Sequence, residues 1–222
     1  MQKNSTQVIE TPTAAQVLAI ERKLKGERLE MFQEAFDVLH EEKQAESDSV
    51  VKWRIENLAY LYRGFKRVDR ETRVKDSRPA GVLHIKLNQG DVKHDLGLAS
   101  VNVVTTAGVN YVIDAFQNLV EVENLKYHGS GTSNTAEAVG DTALGVEVGT
   151  RVAGTQIEGA SENIYQTVAT LTYGSSLSIT EHGLFSASTA GTLFDRSVFT
   201  AIAVDASTGI EFTYEWTLQA GG

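Results

Sequence analysis

Two periodicities divide this chain. From Ala14 onward, apolar residues recur at helical spacing: Val17, Ile20 and Leu24 fall at i, i+3 and i+7. Met31, Phe32, Ala35, Phe36 and Leu39 continue the stripe past Gly26, with Glu and Lys on the other face. A glycine inside a helix costs about 1 kcal/mol relative to alanine, so a break is expected at Gly26. Asp48 or Ser49 can cap a second helix, in which Val51, Ile55, Leu58, Tyr62 and Phe65 keep i+3/i+4 spacing. The two stretches predict a helical hairpin with one apolar seam. Two helices alone cannot cover Phe32, Phe36, Trp53, Tyr62 and Phe65. These side chains are expected to bury against a neighbouring subunit or against the rest of the chain, and they form the candidate protein interface. Residues 1–13, polar with Pro12, read as an extended arm.

From Gly81 the period changes to two. Leu83, Ile85 and Leu87 alternate with His84 and Lys86, the mark of a half-buried strand, and Asn88-Gln89-Gly90-Asp91 reads as a turn. Val101, Val103 and Val104 suggest another strand. Val109, Val112, Ile113, Phe116 and Leu119 then return to helical spacing, which inserts one helix among the strands. Beyond Tyr127 short strands follow one another. Tyr165, Ala169, Leu171 and Tyr173 make one apolar face, and Leu177, Ile179 and Phe185 make another. The last strand is the clearest: Ile210, Phe212, Tyr214, Trp216 and Leu218 on one side, and Glu211, Thr213, Glu215, Thr217 and Gln219 on the other. The predicted class is α+β. An N-terminal arm and helical hairpin (residues 1–79) precede a mainly antiparallel β-sandwich with one inserted helix (residues 80–222).

Charge sharpens that division. The net charge is −9, yet residues 1–79 hold 15 Lys and Arg against 14 Asp and Glu, whereas residues 80–222 hold 5 against 15. So acidic a β-region repels a nucleic-acid backbone, and no nucleic-acid partner is expected. Residues 63–78 carry seven basic side chains, Arg63, Lys66, Arg67, Arg70, Arg73, Lys75 and Arg78, interrupted by Asp69, Glu71 and Asp76. No aromatic residues interleave as in a base-stacking platform, so the stretch reads as a solvated helix end or a dock for an acidic protein surface. Arg63, Lys66, Arg67 and Arg70 therefore join the candidate interface. No apolar run approaches the roughly 20 residues of a membrane span, and the first residues lack the apolar core of a signal peptide. The expectation is a soluble protein with no membrane partner. The absence of cysteine excludes disulfides and thiol catalysis.

Candidate chemistry is sparse. His40, His84, His94, His128 and His182 show no metal-ligand spacing, although His84 and His94 flank a predicted hairpin. Ser178, His182 and Asp195 can be written as a triad, but Ser178 lacks the glycines of a nucleophile elbow. Gly129-Ser130-Gly131 is too short for a phosphate loop. By alternation Glu181 shares a face with Leu177, Ile179 and Phe185, where a carboxylate needs a partner. From residue 129 onward the only basic residues are Arg151 and Arg196, so a structural pair with one of them is expected. No catalytic residue, metal or cofactor is assigned.

One set of segments carries a resemblance: Asn124-Leu125-Lys126-Tyr127-His128-Gly129-Ser130-Gly131-Thr132, Gly140-Asp141-Thr142-Ala143-Leu144, Ile179-Thr180-Glu181-His182-Gly183-Leu184-Phe185-Ser186-Ala187, and Gly191-Thr192-Leu193-Phe194-Asp195-Arg196-Ser197-Val198-Phe199. With the alternating last strand, these are similar to a family of tailed-bacteriophage structural proteins encoded among head and tail genes. The resemblance covers roughly residues 105–220 and rests on turn-and-strand signatures. It implies a non-enzymatic virion component, assembled in the bacterial cytoplasm as a homo-oligomer or lattice. One role is a capsid decoration or cement protein bound to the major capsid protein. Another is a tail, neck or fibre component bound to other virion proteins. A reading from a different class is a carbohydrate-binding module, against which the inward alternation of the aromatics counts.

Overall fold

The computed structural model describes residues 48–73 and 80–218. The arm and the first predicted helix, with Phe32 and Phe36, lie outside the described residues. The chain runs α1 (Asp48–Arg73), β1 (Ala80–Gln89), β2 (Val92–Val101), β3 (Val103–Val104) and α2 (Thr106–Phe116). A short 3-10 turn (Val122–Asn124) leads to β4 (Tyr127–Gly131), β5 (Glu147–Ala153), β6 (Thr155–Glu158) and β7 (Ile164–Thr172), and β8 (Leu177–Phe185), β9 (Leu193–Val204) and β10 (Thr208–Thr217) complete the chain. These strands form two five-stranded sheets, ordered β2-β1-β10-β7-β6 and β3-β9-β8-β4-β5. All pairings are antiparallel, giving the two-layered arrangement of a β-sandwich.

Alternation decides what each central strand contributes to the core. In β10, Ile210, Phe212 and Tyr214 are fully buried and Trp216 nearly so, with Glu211, Thr213 and Glu215 between them only half-buried. Leu218 does not extend this row: β10 ends at Thr217 and Leu218 is exposed. In β1, Leu83 and Ile85 lie opposite Tyr214 and Phe212. Across the core the Phe194 ring meets the Trp216 ring edge-on at 5.3 Å, and the Phe199 and Phe212 rings lie 6.2 Å apart. Such offset and edge contacts suit aromatic quadrupoles.

Helix α1 lies along β2 of one sheet and β9 of the other. Its buried positions include Val50, Trp53, Asn57, Leu61, Gly64 and Phe65, a line close to 3.6-residue spacing. Gly64 permits the approach: a Cβ there would sit 2.8 Å from the Val101 Cβ. Asn57 is fully buried because both ends of its amide are used. Its Nδ2 donates to the Ala99 carbonyl at 2.8 Å, and its Oδ1 accepts from the Thr200 amide at 3.0 Å. The Trp53 Nε1 donates to the Thr200 carbonyl at 3.0 Å.

Helix α2 departs from expectation in orientation. It starts where predicted, capped by Thr105, whose hydroxyl accepts from the Gly108 amide at 2.9 Å. Gly108 and Tyr111 are its buried positions. The stripe expected to be core faces outward: Val109, Ile113 and Phe116 are 43%, 50% and 80% exposed, and Leu119, beyond the helix end, is 68% exposed.

Candidate functional site

The most organised polar assembly covers the outer face of the second sheet. It begins with a register shift in the β8–β9 pairing between Ile179 and Glu181. Ile179 belongs to the main core. His182 also points inward, its ring 4.6 Å from that of Phe212 in the other sheet. Its neighbour Glu181 therefore faces out. The expected alternation linking Glu181 to Ile179 is broken by the shift, since a one-residue slip exchanges faces.

Glu181 is nevertheless fully buried, because residues 132–146 fold over it. One carboxylate oxygen, Oε1, accepts from the amides of Ser133 at 3.2 Å and Val146 at 2.8 Å. The other, Oε2, accepts from the Gly145 amide at 3.0 Å and from Arg196 Nε and Nη2 at 2.9 and 2.7 Å. Arg196 spends its remaining donors on the same loop, through Nη1 to Asp141 at 2.9 Å and Nη2 to the Thr135 carbonyl at 3.1 Å. A third anchor comes from α1. Arg63 and Arg67 both donate to Glu137, the latter at 3.0 Å, and Arg67 also donates to the Val101 carbonyl. Gly131 leaves room for the clamp: a Cβ there would lie 2.4 Å from Glu181 Oε1 and from the Val146 carbonyl. Beneath the loop, Leu144, Phe185 and Leu193 form a separate apolar cluster with Tyr127 against it.

Of the two arginines proposed as partners, Arg196 therefore meets Glu181, and Arg151 does not. Arg151 pairs with Glu147 at 2.6 Å, lies 3.3 Å above the Phe185 ring and donates to the carbonyls of Ala187 and Ala190. It ties β5 to the β8–β9 turn.

The inner face of the same sheet handles polar groups differently. His128 and His182 are fully buried and share a hydrogen bond of 2.9 Å between Nδ1 and Nε2. His128 Nε2 lies 3.2 Å from the Thr167 hydroxyl. Burial lowers the His128 pKa to about 3, and burial followed by repulsion from His128 holds His182 well below its ordinary value. Asp195 is also fully buried on this side, and burial holds its carboxyl well above the usual range. The Tyr214 hydroxyl and the Asn102 amide lie close enough to pull that pKa downward or share the proton, but neither meets hydrogen-bond geometry with the Asp195 oxygens.

The remaining sequence candidates separate on this frame. Ser178 is exposed on the same strand as buried His182, four positions away, about 13 Å at strand rise, so Ser178, His182 and Asp195 make no triad. His94 lies opposite Leu87, whereas His84 is opposite Leu98 and Thr213 and faces the other way. Trp53 and Phe65, read as surfaces for a neighbour, are buried within their own chain, 8% and 1% exposed, because α1 lies on β2 and β9. Tyr62 is half-buried. Arg63 and Arg67 serve the Glu137 clamp rather than an open basic surface. Lys66 and Arg70 lie within the span of α1.

Asn57, Asp141 and Glu137 were not singled out by the sequence. A polar residue at a buried helix position was the available signal for Asn57. The two loop carboxylates had none, since no periodicity marks residues 132–146. Among the described residues, no group of three or more His, Cys, Asp and Glu side chains could hold a metal ion, and no helix is long and apolar enough to cross a membrane. No family model, curated protein or solved structure matches the chain.

Proposed function

We propose that this chain is a non-enzymatic structural component of a tailed-phage virion, acting as a capsid decoration or cement protein bound to the major capsid protein. One observation carries the reading best. The buried ion pairs Arg196–Glu181, Arg196–Asp141 and Arg67–Glu137 all fasten one loop and one helix to the sandwich. Charges used in this way make a rigid body. A particle component needs a surface of fixed shape, and clamping a 132–146 loop without regular structure supplies one. The resemblance of residues 105–220 to virion proteins supports the same reading, and the helical region with its arm is the attachment element. The aromatics Phe212, Tyr214 and Trp216 are buried between the sheets, so β10 offers no stacking platform to a glycan.

Deletion of residues 1–46 tests attachment. The expected outcome is a soluble body that keeps its β-sheet circular dichroism signal and no longer enters particles. Normal incorporation of the shortened chain would refute the attachment role. Counting copies per particle separates the two virion roles: hundreds mean the capsid, and a dozen or so mean the tail or neck.

A further inference from the structure

The outward row on α2 and its following turn is the largest apolar feature on the described surface. Val109, Ile113 and Phe116 fall at i, i+4 and i+7, two turns of one helix face, and Leu119 and Val122 extend the row. Scattered exposed apolar residues need no explanation, but a contiguous row does. Its charged surroundings have one sign. Residues 106–123 contain Asp114, Glu121 and Glu123 and no Lys or Arg.

We infer that residues 14–28 of this same chain dock on that face as an amphipathic helix. Three observations point to this occupant. First, Val17, Ile20 and Leu24 repeat at i, i+3 and i+7 and match the two-turn length of Val109, Ile113 and Phe116. Second, the charges are complementary: residues 14–28 hold Arg22, Lys23, Lys25 and Arg28 against Glu21 and Glu27. Third, the chain has the right reach. Trp53, near the start of α1, lies at Thr200, while Arg63 and Arg67 lie at Glu137. From Glu137 the loop passes to Val139, whose carbonyl accepts from the amide of Thr106, the first residue of α2. The far end of α1 is therefore the end close to α2. Asp48 to Arg67 spans about 28 Å along the helix axis, and residues 29–47, read as helix from their stripe, span about the same 28 Å. A chain returning antiparallel to α1 thus delivers residue 28 to the neighbourhood of α2. Docking there leaves residues 1–13 as the arm, emerging beside α2.

The test is hydrogen exchange by mass spectrometry on the full chain, at several concentrations, for the wild type, Leu24→Asp and Phe116→Asp. Phe116 is 80% exposed, so its replacement does not disturb the sandwich, and slow exchange in β10 serves as the fold control. Each variant is expected to speed exchange in the other's segment, residues 109–119 or 14–28, by roughly tenfold, equally at all concentrations. Unchanged exchange across residues 109–119 in Leu24→Asp would overturn the inference. Protection that appears only as concentration rises would overturn it too, and would assign the face to a second copy.

Discussion

Two adjacent residues of β9 show two ways to bury an ionisable group. Arg196 faces the loop side and donates to Glu181, Asp141 and the Thr135 carbonyl. Asp195 faces the core, and neither of its oxygens has a hydrogen-bond partner. Arg196 keeps its charge by pairing. Asp195 loses its charge because burial favours the protonated acid. The buried histidines follow Asp195's route, held neutral by desolvation. The outer layer of this sheet is therefore ionic and directional, and the inner layer is polar but uncharged. The first kind fails when a partner is removed. The second kind fails when pH restores a charge.

The largest effect should come from breaking the paired site. Glu181→Gln strands the Arg196 guanidinium and removes the acceptor for three backbone amides. Loss of one partner of a buried pair costs about 3–5 kcal/mol. The melting temperature should fall by roughly ten degrees in calorimetry. A change of a degree or so would mean that the loop does not depend on this carboxylate.

Acid should break the neutral layer next. The folded-state pKa values of His128 and His182 lie below that of an unfolded histidine, about 6.5. Above that pH both states are neutral and stability is intact. As pH falls through 6.5 the unfolded chain takes up protons that the folded chain refuses, so stability drops progressively toward pH 3. Two such groups remove roughly 3 kcal/mol between pH 6.5 and pH 5. Urea titrations at stepped pH should show this slope, and His182→Phe, placed beside Phe212, should lower it by about half. Identical slopes in the two proteins would show that His182 does not carry the effect.

Asp195 has the opposite sign and the smallest effect. Its folded pKa is raised, so its contribution is intact below the unfolded value of about 3.9 and declines as pH rises above it, where the unfolded chain releases the proton. Asp195→Asn keeps a neutral polar group of the same shape. It should raise stability at pH 7 by on the order of 2 kcal/mol and leave stability at pH 3 unchanged. A loss of stability at pH 7 would mean that Asp195 works as a charged partner of Arg67.

The contrast between these layers was only partly legible in the sequence. The alternation of β1 and β10 was plain, because one face of each strand meets the core and the other does not. The Glu181–Arg196 pair was readable by scarcity: few cations were available to a carboxylate on a buried strand. The face on which they meet was not readable. A register shift leaves no trace in composition, and the β8 residues from Ile179 to Phe185 are buried on both sides. The stripe on α2 misled for a related reason. Periodicity marks an apolar face but does not say whether the core or another segment covers it, and here Gly108 and Tyr111 turn to the body instead. The loop carboxylates Glu137 and Asp141 were invisible because their roles depend on arginines distant in sequence.

The strand order of the first sheet has a consequence for synthesis. The β10 strand lies between β1 and β7, and its register joins Ala80 to Thr217 and Ile164 to the same residue. The middle of that sheet is thus filled by the last strand to leave the ribosome. Until residue 217 emerges, β1 and β7 each present an open edge of unpaired amides and carbonyls, and Leu83, Ile85, Ala169 and Leu171 lack their cover. Pairing over so long a separation is slow to nucleate. A nascent or truncated chain that stops before Thr208 is therefore an aggregation hazard rather than a smaller folded protein, and quality control in the producing cell acts on that intermediate.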